Sequence, residues 1–494
     1  MLQARQSFFK PYTLPAAFTD FLLNCCAILF ASTIYSGAPQ VLNGLLILPT
    51  IATLLQSPAK ISGKSAFNGK PKEVKDERKI SALDPMPVKP FVTFYRGAMM
   101  ISTCTAILAV DFPSVFPRRF AKTESFGKSL MDLGVGSFVF AAGIVAARQQ
   151  LREQKSGSPS TIDRFKNALR HSLPLVALGL VRLWSMKGLD YAEHVSEYGV
   201  HWNFFFTLAI LPLANALLAP ILKYFPSYGL LAFIIAICWE IALNTIKDLK
   251  RYITLSERRP DDWLSQNREG VFSLIGYLAI FIGGMGIGTG ILTRDEETSL
   301  VGKNKPKDKD SDDEDAEWLA SMLGAEAKQK APTPQKLGTP TPNLPKTTFF
   351  HLAKWAVLWF VICTWAMWRY GPRLVVSRRM ANLAYIVWVC GFNTAQLLLF
   401  CSIEKLLFPD LYEANDKQTE RQRIQDATSR VMQAFNRNGL ALFLLANLLT
   451  GAINMSMKTL YMGEIQAMVV LVAYIGIICA VALTLDRYGI SIKL

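Results

Sequence analysis

The sequence predicts an all-α fold, a polytopic membrane helical bundle of about twelve transmembrane helices. Three observations predict it. Hydrophobic residues make up 51% of the 494 residues and charged residues only 18%, with a mean hydropathy of +0.24. Apolar runs long enough for a helix to cross a hydrocarbon core of about 30 Å recur along nearly the whole chain. The runs are continuous and do not alternate, which argues against a β-barrel, the other architecture that satisfies its backbone groups in lipid.

The predicted spans are 16–36, 39–56, 91–110, 129–147, 169–186, 202–222, 227–246, 270–292, 350–369, 380–402, 437–455 and 465–486. The first follows the basic residues of MLQARQSFFK, and with no small-residue cleavage site after it the stretch reads as a span and not as a signal peptide. A polar linker, 57–90, separates the second and third spans. A longer one, 293–346, follows the eighth, and its Pro, Lys and Asp content predicts disorder apart from a short helix around 318–323. The whole chain, 1–494, is expected to act as a single transmembrane domain.

An N-terminus in the cytosol places both linkers, the loops 148–168 and 403–436, and the C-terminus there too. Those segments carry about twice as many Lys and Arg as the other side, as the positive-inside rule requires. The loop 111–128 and the segments 247–269 and 369–379 break the pattern, being basic on the face that should lack basic residues. Either one span is miscounted, or these residues bind anions at that face.

The formal net charge of +15 does not point to nucleic acid, because the basic residues sit in short segments between apolar runs. All eight cysteines lie inside apolar runs without metal spacing, so they read as small buried hydrophobes, and neither a disulfide framework nor a zinc site is predicted. The sequence shows no glycine-rich phosphate loop, G-x-S-x-G elbow or Cys/His nucleophile pair.

Ionisable groups in or at the ends of spans cost about 2.5 to 3.5 kcal/mol at a helix centre, so each is a functional candidate. Asp111 follows TAILAV and precedes a Phe-Pro pair, so a helix ends there and leaves the carboxylate beside terminal carbonyls, the wrong end of the macrodipole. Arg118, Arg119 and Lys122 are the nearest cations, and the group is either an interfacial salt bridge or a site. Asp132, one turn into the next span, either caps that helix or lines a polar pocket. Residues 181–206 hold Arg182, His194, Glu197, Tyr198, His201, Trp202 and Asn203. They suit an interfacial helix at headgroup level, or a site for proton transfer or a polar substrate. Their spacing matches no metalloprotease motif, and no metal is expected. The asparagines at 244, 393, 436, 438, 447 and 454 read mainly as hydrogen bonds between helices.

The stretches ILAVDFPSVFPRRFAKTESFGKSLMDLGVGSFVF, EHVSEYGVHWNFFFTLAILP and FNRNGLALFLLANLLTGAINMSMKTLYM resemble the GPI inositol acyltransferases, and the resemblance runs from about residue 17 to the C-terminus. It implies a multi-pass enzyme of the endoplasmic reticulum membrane, with its active-site loops lumenal. Such an enzyme moves a fatty acyl group, usually palmitoyl, from acyl-CoA to the inositol 2-hydroxyl of glucosaminyl-phosphatidylinositol. In the family the acid of the VDF motif and the lysine of RRFAK are assigned to substrate recognition and catalysis, and they fall on Asp111 and Lys122. The loop DFPSVFPRR is one residue longer than the family pattern, so the spacing of acid and lysine departs from it. The family has thirteen spans and a lumenal N-terminus; twelve spans fit a chain that starts near the family's second.

On this reading Asp111 orients or deprotonates the inositol hydroxyl, and Lys122 stabilises the oxyanion or acts as the acid. Arg118 and Arg119 grip phosphate. Asp132, Arg182, Glu197, His201 and Asn203 complete the substrate site, with His201 as the rival base. Palmitoyl-CoA, glucosaminyl-phosphatidylinositol and membrane lipids are the expected partners, with no cofactor beyond the acyl-CoA co-substrate and no obligate protein partner. The alternative is a transporter or scramblase of lipids or organic anions, whose basic loops attract cargo while buried acids relay protons. The internal sequence symmetry that would favour it is not evident.

Overall fold

The computed structural model describes residues 8–55, 84–156, 159–187, 197–222, 224–225, 227–294, 348–370, 376–414 and 417–492. These form helices and turns, with no strand among the described residues. In chain order the helices are α1 Leu14–Ser32, which contains a π-helical turn at Leu22–Cys26, α2 Pro39–Leu55, α3 Pro90–Ala109, α4 Leu130–Ser156 and α5 Thr161–Lys187. Then come α6 Phe204–Leu222, α7 Tyr228–Thr245, the short α8 Leu249–Thr254, α9 Trp263–Ile291 and α10 Thr348–Tyr370. The last five are α11 Leu383–Leu407, α12 Lys417–Ala427, α13 Arg430–Arg437, α14 Gly439–Ser456 and α15 Glu464–Arg487.

Among the described residues ten helices are long and apolar enough to cross a membrane: α1, α3, α4, α6, α7, α9, α10, α11, α14 and α15. The other two predicted spans are helices too. The described apolar part of α2 is shorter, Pro39–Ile51. In α5, Arg170 and Arg182 interrupt the apolar residues, and it is not among the ten. Of the two predicted linkers, 57–83 and 295–346 lie outside the described residues, as does the short helix expected around 318–323.

Local chemistry starts the helices where the sequence changes character. Pro90 opens α3 at a position whose missing N–H costs no helical bond. Ser129 opens α4: its Oγ accepts from the Asp132 N–H at 3.0 Å and donates to Asp132 Oδ2 at 2.8 Å. Ser227, Asp262 and Ser429 cap α7, α9 and α13 in the same way.

The chain divides into two compact units. The first comprises 1–120, 293–314 and 396–491, so α11 gives it only its second half. Its buried centre is α3, where Phe91, Tyr95, Met100, Ile101 and Cys104 are all buried. In α1 the buried Asp20 accepts from Ser429 Oγ at 2.8 Å and from the Val431 N–H at 3.2 Å, a carboxylate at the N-terminus of α13 where the macrodipole favours it. At the start of α3, Glu404 accepts from the Phe91 N–H and from Tyr412 Oη, both at 2.8 Å. Nearby, Arg294 donates to Glu420 at 2.6 Å and to the carbonyls of Asp84 and Tyr412, each at 3.1 Å.

The second unit comprises 121–292, 315–395 and 492–494. Its centre is the contact of α4 with α9, where backbones touch. A Cβ on Gly143 would lie 2.1 Å from the Phe281 carbonyl oxygen, and one on Gly284 2.2 Å from that of Phe140. Beside it Trp239, Leu243, Ile253 and Met380 form a buried cluster, with Trp239 Nε1 donating to the Met380 carbonyl at 2.9 Å. Six of the eight cysteines are buried, but Cys238 is exposed and Cys363 half-exposed, contrary to the expectation that all behave as buried residues. Hydrocarbon is as good a solvent for a thiol's apolar surface as a protein core, so a span does not need to turn its cysteines inward.

The α4–α9 contact sets a test. Gly143→Leu and Gly284→Leu should each lower the thermal midpoint in detergent by the equivalent of about 1 to 3 kcal/mol or more. Gly44→Ala, whose new Cβ meets nothing within 4 Å, should leave the midpoint unchanged or raise it. Equal shifts for all three would contradict the close approach.

Candidate functional site

In the second unit the loop before α4 carries Lys122, whose side chain is 43% exposed. Its Nζ lies 2.9 Å from Glu197 Oε1 and 3.1 Å from Oε2. Arg378 Nη1 donates to the same Glu197 Oε1 at 2.8 Å, while its Nε donates to Asp132 Oδ1 at 2.8 Å. The result is a row of alternating charge, Lys122, Glu197, Arg378 and Asp132, in which Arg378 is 4% and Asp132 0% exposed. Asp132 also accepts from the Thr123 N–H at 3.2 Å and from Thr123 Oγ1 at 2.8 Å, so the carboxylate joins Ser129, the cap of α4, to the loop that presents Lys122. Of the two sequence readings of Asp132, the cap of α4 falls to Ser129, whose Oγ accepts from the Asp132 N–H, while the Asp132 carboxylate joins a polar cluster.

Burial alone would raise the Glu197 carboxyl, but the guanidinium of Arg378, then the ammonium of Lys122, outweigh it and pull the group down to about 2. Arg182, exposed on α5, adds to the positive field there. Tyr385 Oη donates to the Asp132 carbonyl at 2.8 Å, and the Arg378 guanidinium lies 5.9 Å from the centre of the buried Tyr198 ring.

A second cluster adjoins it. Arg379 Nη2 donates to Glu269 at 2.8 Å and its Nη1 to Ser125 Oγ at 3.1 Å. Arg258 donates to Glu269 at 2.7 Å and to the Gln266 carbonyl at 2.7 Å. The tight turn 377–382 delivers both arginines. Asn382 Oδ1 accepts from the N–H groups of Ser377 at 3.1 Å and Tyr385 at 3.2 Å, and Ala381 takes a left-handed φ of 43°. From the sequence, the basic residues of 247–269 and 369–379 mean either a miscounted span or anion binding at that face. In the folded chain Arg258, Arg378 and Arg379 instead bind carboxylates of the protein itself, because Glu269 and Asp132 are fully buried and require cations.

In the first unit α3 ends as expected, with the Asp111 N–H on the Leu108 carbonyl at 3.1 Å and the Phe116 N–H on that of Phe112 at 3.0 Å. Asp111 is half-buried, and its Oδ2 accepts from Asn454 Nδ2 at 2.8 Å. Asn454 Oδ1 in turn accepts from Thr459 Oγ1 at 3.3 Å. Burial pushes the Asp111 carboxyl above its ordinary value, and the Asn454 hydrogen bond opposes that rise. The salt bridge offered as one reading of Asp111 is thus replaced by an amide hydrogen bond. Arg118 is exposed, and Arg119 donates to the Ser36 carbonyl at 2.7 Å. Asn454 was read as a bond between helices. The neighbouring Asn447 bonds the Phe443 carbonyl of its own preceding turn, which satisfies an amide in lipid without any partner helix.

The remaining predicted residues sit at the start of α6. Asn203 Oδ1 accepts from the Phe205 N–H at 3.0 Å while its Nδ2 donates to the Gly179 carbonyl at 2.9 Å, so this amide caps α6 and ties it to α5. The His201 N–H donates to Asn267 Oδ1 at 2.8 Å, and the residue is partly exposed. His194 lies outside the described residues. Among the described residues no group of three or more His, Cys, Asp or Glu side chains is placed to hold a metal ion.

Removing one member of the charge row should be costly. Arg378→Ala leaves the fully buried Asp132 without its guanidinium partner and Glu197 without the nearer of its cations, and should lower stability by about 3 to 5 kcal/mol, measured by denaturant or thermal unfolding in detergent. The folded Glu197 carboxyl titrates near 2, below its usual 4.5. Its contribution to stability is therefore fully present above about pH 4.5 and is lost as pH falls toward 2. The thermal midpoint should fall more steeply through that window in the natural chain than in Glu197→Gln, and parallel curves would contradict the pairing.

The GWT1 family model matches residues 1–485. Similar proteins named GPI-anchored wall transfer protein 1 align along the whole chain. That of Aspergillus oryzae is 46% identical over 505 residues, covering 100% of this chain and 92% of the relative. That of Gibberella zeae is 45% identical over 505 residues, with the same coverage. The Saccharomyces cerevisiae protein is 37% identical over 478 residues, covering 96% of this chain and 88% of its own. With a helical membrane bundle and a family match over nearly its full length, the chain belongs to the GWT1 family.

Proposed function

We propose that the chain acts in GPI-anchor biosynthesis as an acyl-CoA-dependent inositol acyltransferase. It transfers a palmitoyl group from acyl-CoA to the inositol 2-hydroxyl of glucosaminyl-phosphatidylinositol, in the endoplasmic reticulum membrane and with its site loops lumenal. The observation that carries the reading is Lys122: an ammonium half open to solvent yet held in one place by Glu197 and, behind it, by Arg378 and Asp132. A fixed cation is what the developing oxyanion of acyl transfer needs, because it costs no reorganisation when the charge appears. The family match and the relatives' name, GPI-anchored wall transfer protein 1, support a role in GPI-anchor biosynthesis.

Asp111, eleven residues before Lys122 in the chain, is the base. A carboxyl raised by burial is closer in basicity to an alcohol's needs than a free one, and Asn454 holds one of its oxygens in place. The hydroxyl proton passes to Asp111, the inositol oxygen bonds the thioester carbonyl carbon, and the C–S bond breaks. CoA leaves as a thiol with a proton from Lys122. Arg118 and Arg119 bear on phosphate, and Glu197 sets the position of Lys122. His201 is the competing base.

The purified full chain, given labelled palmitoyl-CoA and glucosaminyl-phosphatidylinositol, should form the acylated lipid. Lys122→Ala and Asp111→Ala should each lower turnover at least about 100-fold without loss of folded protein. Folded protein that forms no product but moves lipid between leaflets would instead support a transporter or scramblase. Activity in both variants, with none in His201→Ala, would reassign the base.

The acidic limb of the rate profile belongs to Asp111 on this reading. Asn454→Leu should move that limb to higher pH, because it removes the hydrogen bond that favours the ionised form and leaves burial unopposed. A limb that stays in place would remove Asp111 from the reaction.

A further inference from the structure

The segment that follows α14 in the first unit backs onto the Asp111 hydrogen bond. α14 ends at Ser456, Met457 leaves it extended at φ −136° and ψ 145°, and the chain then makes a single 3-10 turn, Thr459–Tyr461. That turn buries one residue selectively: Thr459 is 7% exposed, while Leu460 and Tyr461 are 66% and 86% exposed. Leu and Tyr side chains suit a lipid interface, but a buried hydroxyl needs a partner. The partner is Asn454 Oδ1, at 3.3 Å.

What the hydroxyl does is visible in how Asn454 differs from other asparagines of the spans. Asn244, Asn393 and Asn447 each donate Nδ2 to the carbonyl four residues earlier in their own helix, at 2.6, 2.7 and 2.7 Å. That local bond satisfies the amide N–H without help from another element. Asn454 reaches instead from α14 to Asp111 Oδ2, at 2.8 Å. An amide has one donor end and one acceptor end, so a donor held on Oδ1 turns Nδ2 toward the partner on the other side. The Thr459 hydroxyl is that donor, and by polarising the amide it also strengthens the N–H···O bond beyond it.

We propose that Thr459 is a positioning residue of the reaction: its hydroxyl holds the Asn454 amide with Nδ2 on Asp111, so that the base keeps its hydrogen-bond donor through the cycle. The role in the reaction rests on the reading of Asp111 as the base. Each turnover protonates Asp111 and must release that proton again. While the carboxyl is protonated its pull on the amide is weak, and Thr459 is what keeps Nδ2 from turning back to its own helix. Tyr474 on α15 also faces Asp111, and its Oη donates to the Cys104 carbonyl at 2.9 Å. Lys458 in the turn, Arg118 in the loop after α3 and Glu464 at the start of α15 are exposed, and Arg119 donates to the Ser36 carbonyl. The charges of α1 and α13, Asp20, Arg430 and Arg437, lie toward the other end of α14, an 18-residue helix of about 27 Å.

The test uses the purified full chain in detergent and two readouts. Infrared difference spectroscopy follows the protonated Asp111 carboxyl against pH, its band assigned by its loss in Asp111→Asn, and turnover is measured over the same range. Thr459→Val should move the carboxyl titration to higher pH by about half a unit or more, and no further than Asn454→Leu moves it. The acidic limb of the rate profile should follow. Thr459→Ser, which keeps the hydroxyl, should match the natural chain, and Thr459→Val should add nothing in an Asn454→Leu background. Should Thr459→Val fail to fold, Thr459→Ala carries the same expectation. A titration unmoved by loss of the hydroxyl, a Thr459→Ser that behaves as Thr459→Val, or a full shift in the Asn454→Leu background would overturn the proposal and leave Asp111 as the base. A titration that moves while the rate limb stays in every variant would remove Asp111 from the reaction, and Thr459 with it.

Discussion

The second unit depends on the pairing of the adjacent arginines Arg378 and Arg379 with carboxylates that the helices have buried. Asp132 and Glu269 are fully removed from solvent, and an isolated carboxylate there would cost several kcal/mol. One turn ahead of α11 supplies both counter-charges, one to each acid, and in doing so fastens four separate stretches of chain: the loop before α4, the start of α9, the segment at Glu197 and the turn itself. The turn is strained, with a non-glycine residue at a left-handed φ, and such conformations persist only where surrounding contacts dictate them. Here the dictating contacts are ionic. Lys122 is the most exposed member of the row, 43% against 16% for Glu197 and 4% or less for Arg378 and Asp132, and its position is inherited from partners more buried than itself.

Much of this was legible in the sequence, and what was not follows a physical pattern. Helices are governed by local periodicity and length, so both ends of α3 and α15 could be read to within a residue, while α4 runs nine residues past its predicted end and α9 begins seven before its predicted start, where polar residues extend the helix beyond the apolar run. Asp111, Lys122, Asp132 and Glu197 stood out because an ionisable group next to an apolar run is anomalous on its own. Their partners were hidden by distance along the chain. Arg378 meets Asp132 across 246 residues and Asn454 meets Asp111 across 343, and no single sequence encodes such pairings. The available signal was indirect: two basic segments on the wrong face. In sequence that charge means either a miscounted span or provision for an anion; in the fold part of it neutralises the protein's own acids. Asn203 shows the converse, a residue marked for chemistry by its neighbours that the fold uses as a helix cap.

The two ends of α4 solve different problems with similar residue types. At Asp132 the carboxylate is surrounded by donors from its own chain, and every polar atom has a use. At Glu153 the carboxylate pairs with Arg164 at 2.8 Å, and the surrounding walls are small and apolar. Full satisfaction makes a rigid anchor for a reactive loop.

Arg294 carries a last consequence. It joins the carbonyl of Asp84, the first described residue after 56–83, to Glu420 and Tyr412, and it stands immediately before 295–347. The two longest polar stretches of the chain thus adjoin a single bolt in the first unit. Lengthening a connection whose ends are already pinned costs only about 0.6 kcal/mol per doubling. Each doubling of either stretch therefore weighs little against the Arg294 contacts, and those stretches are the places to insert a tag or reporter.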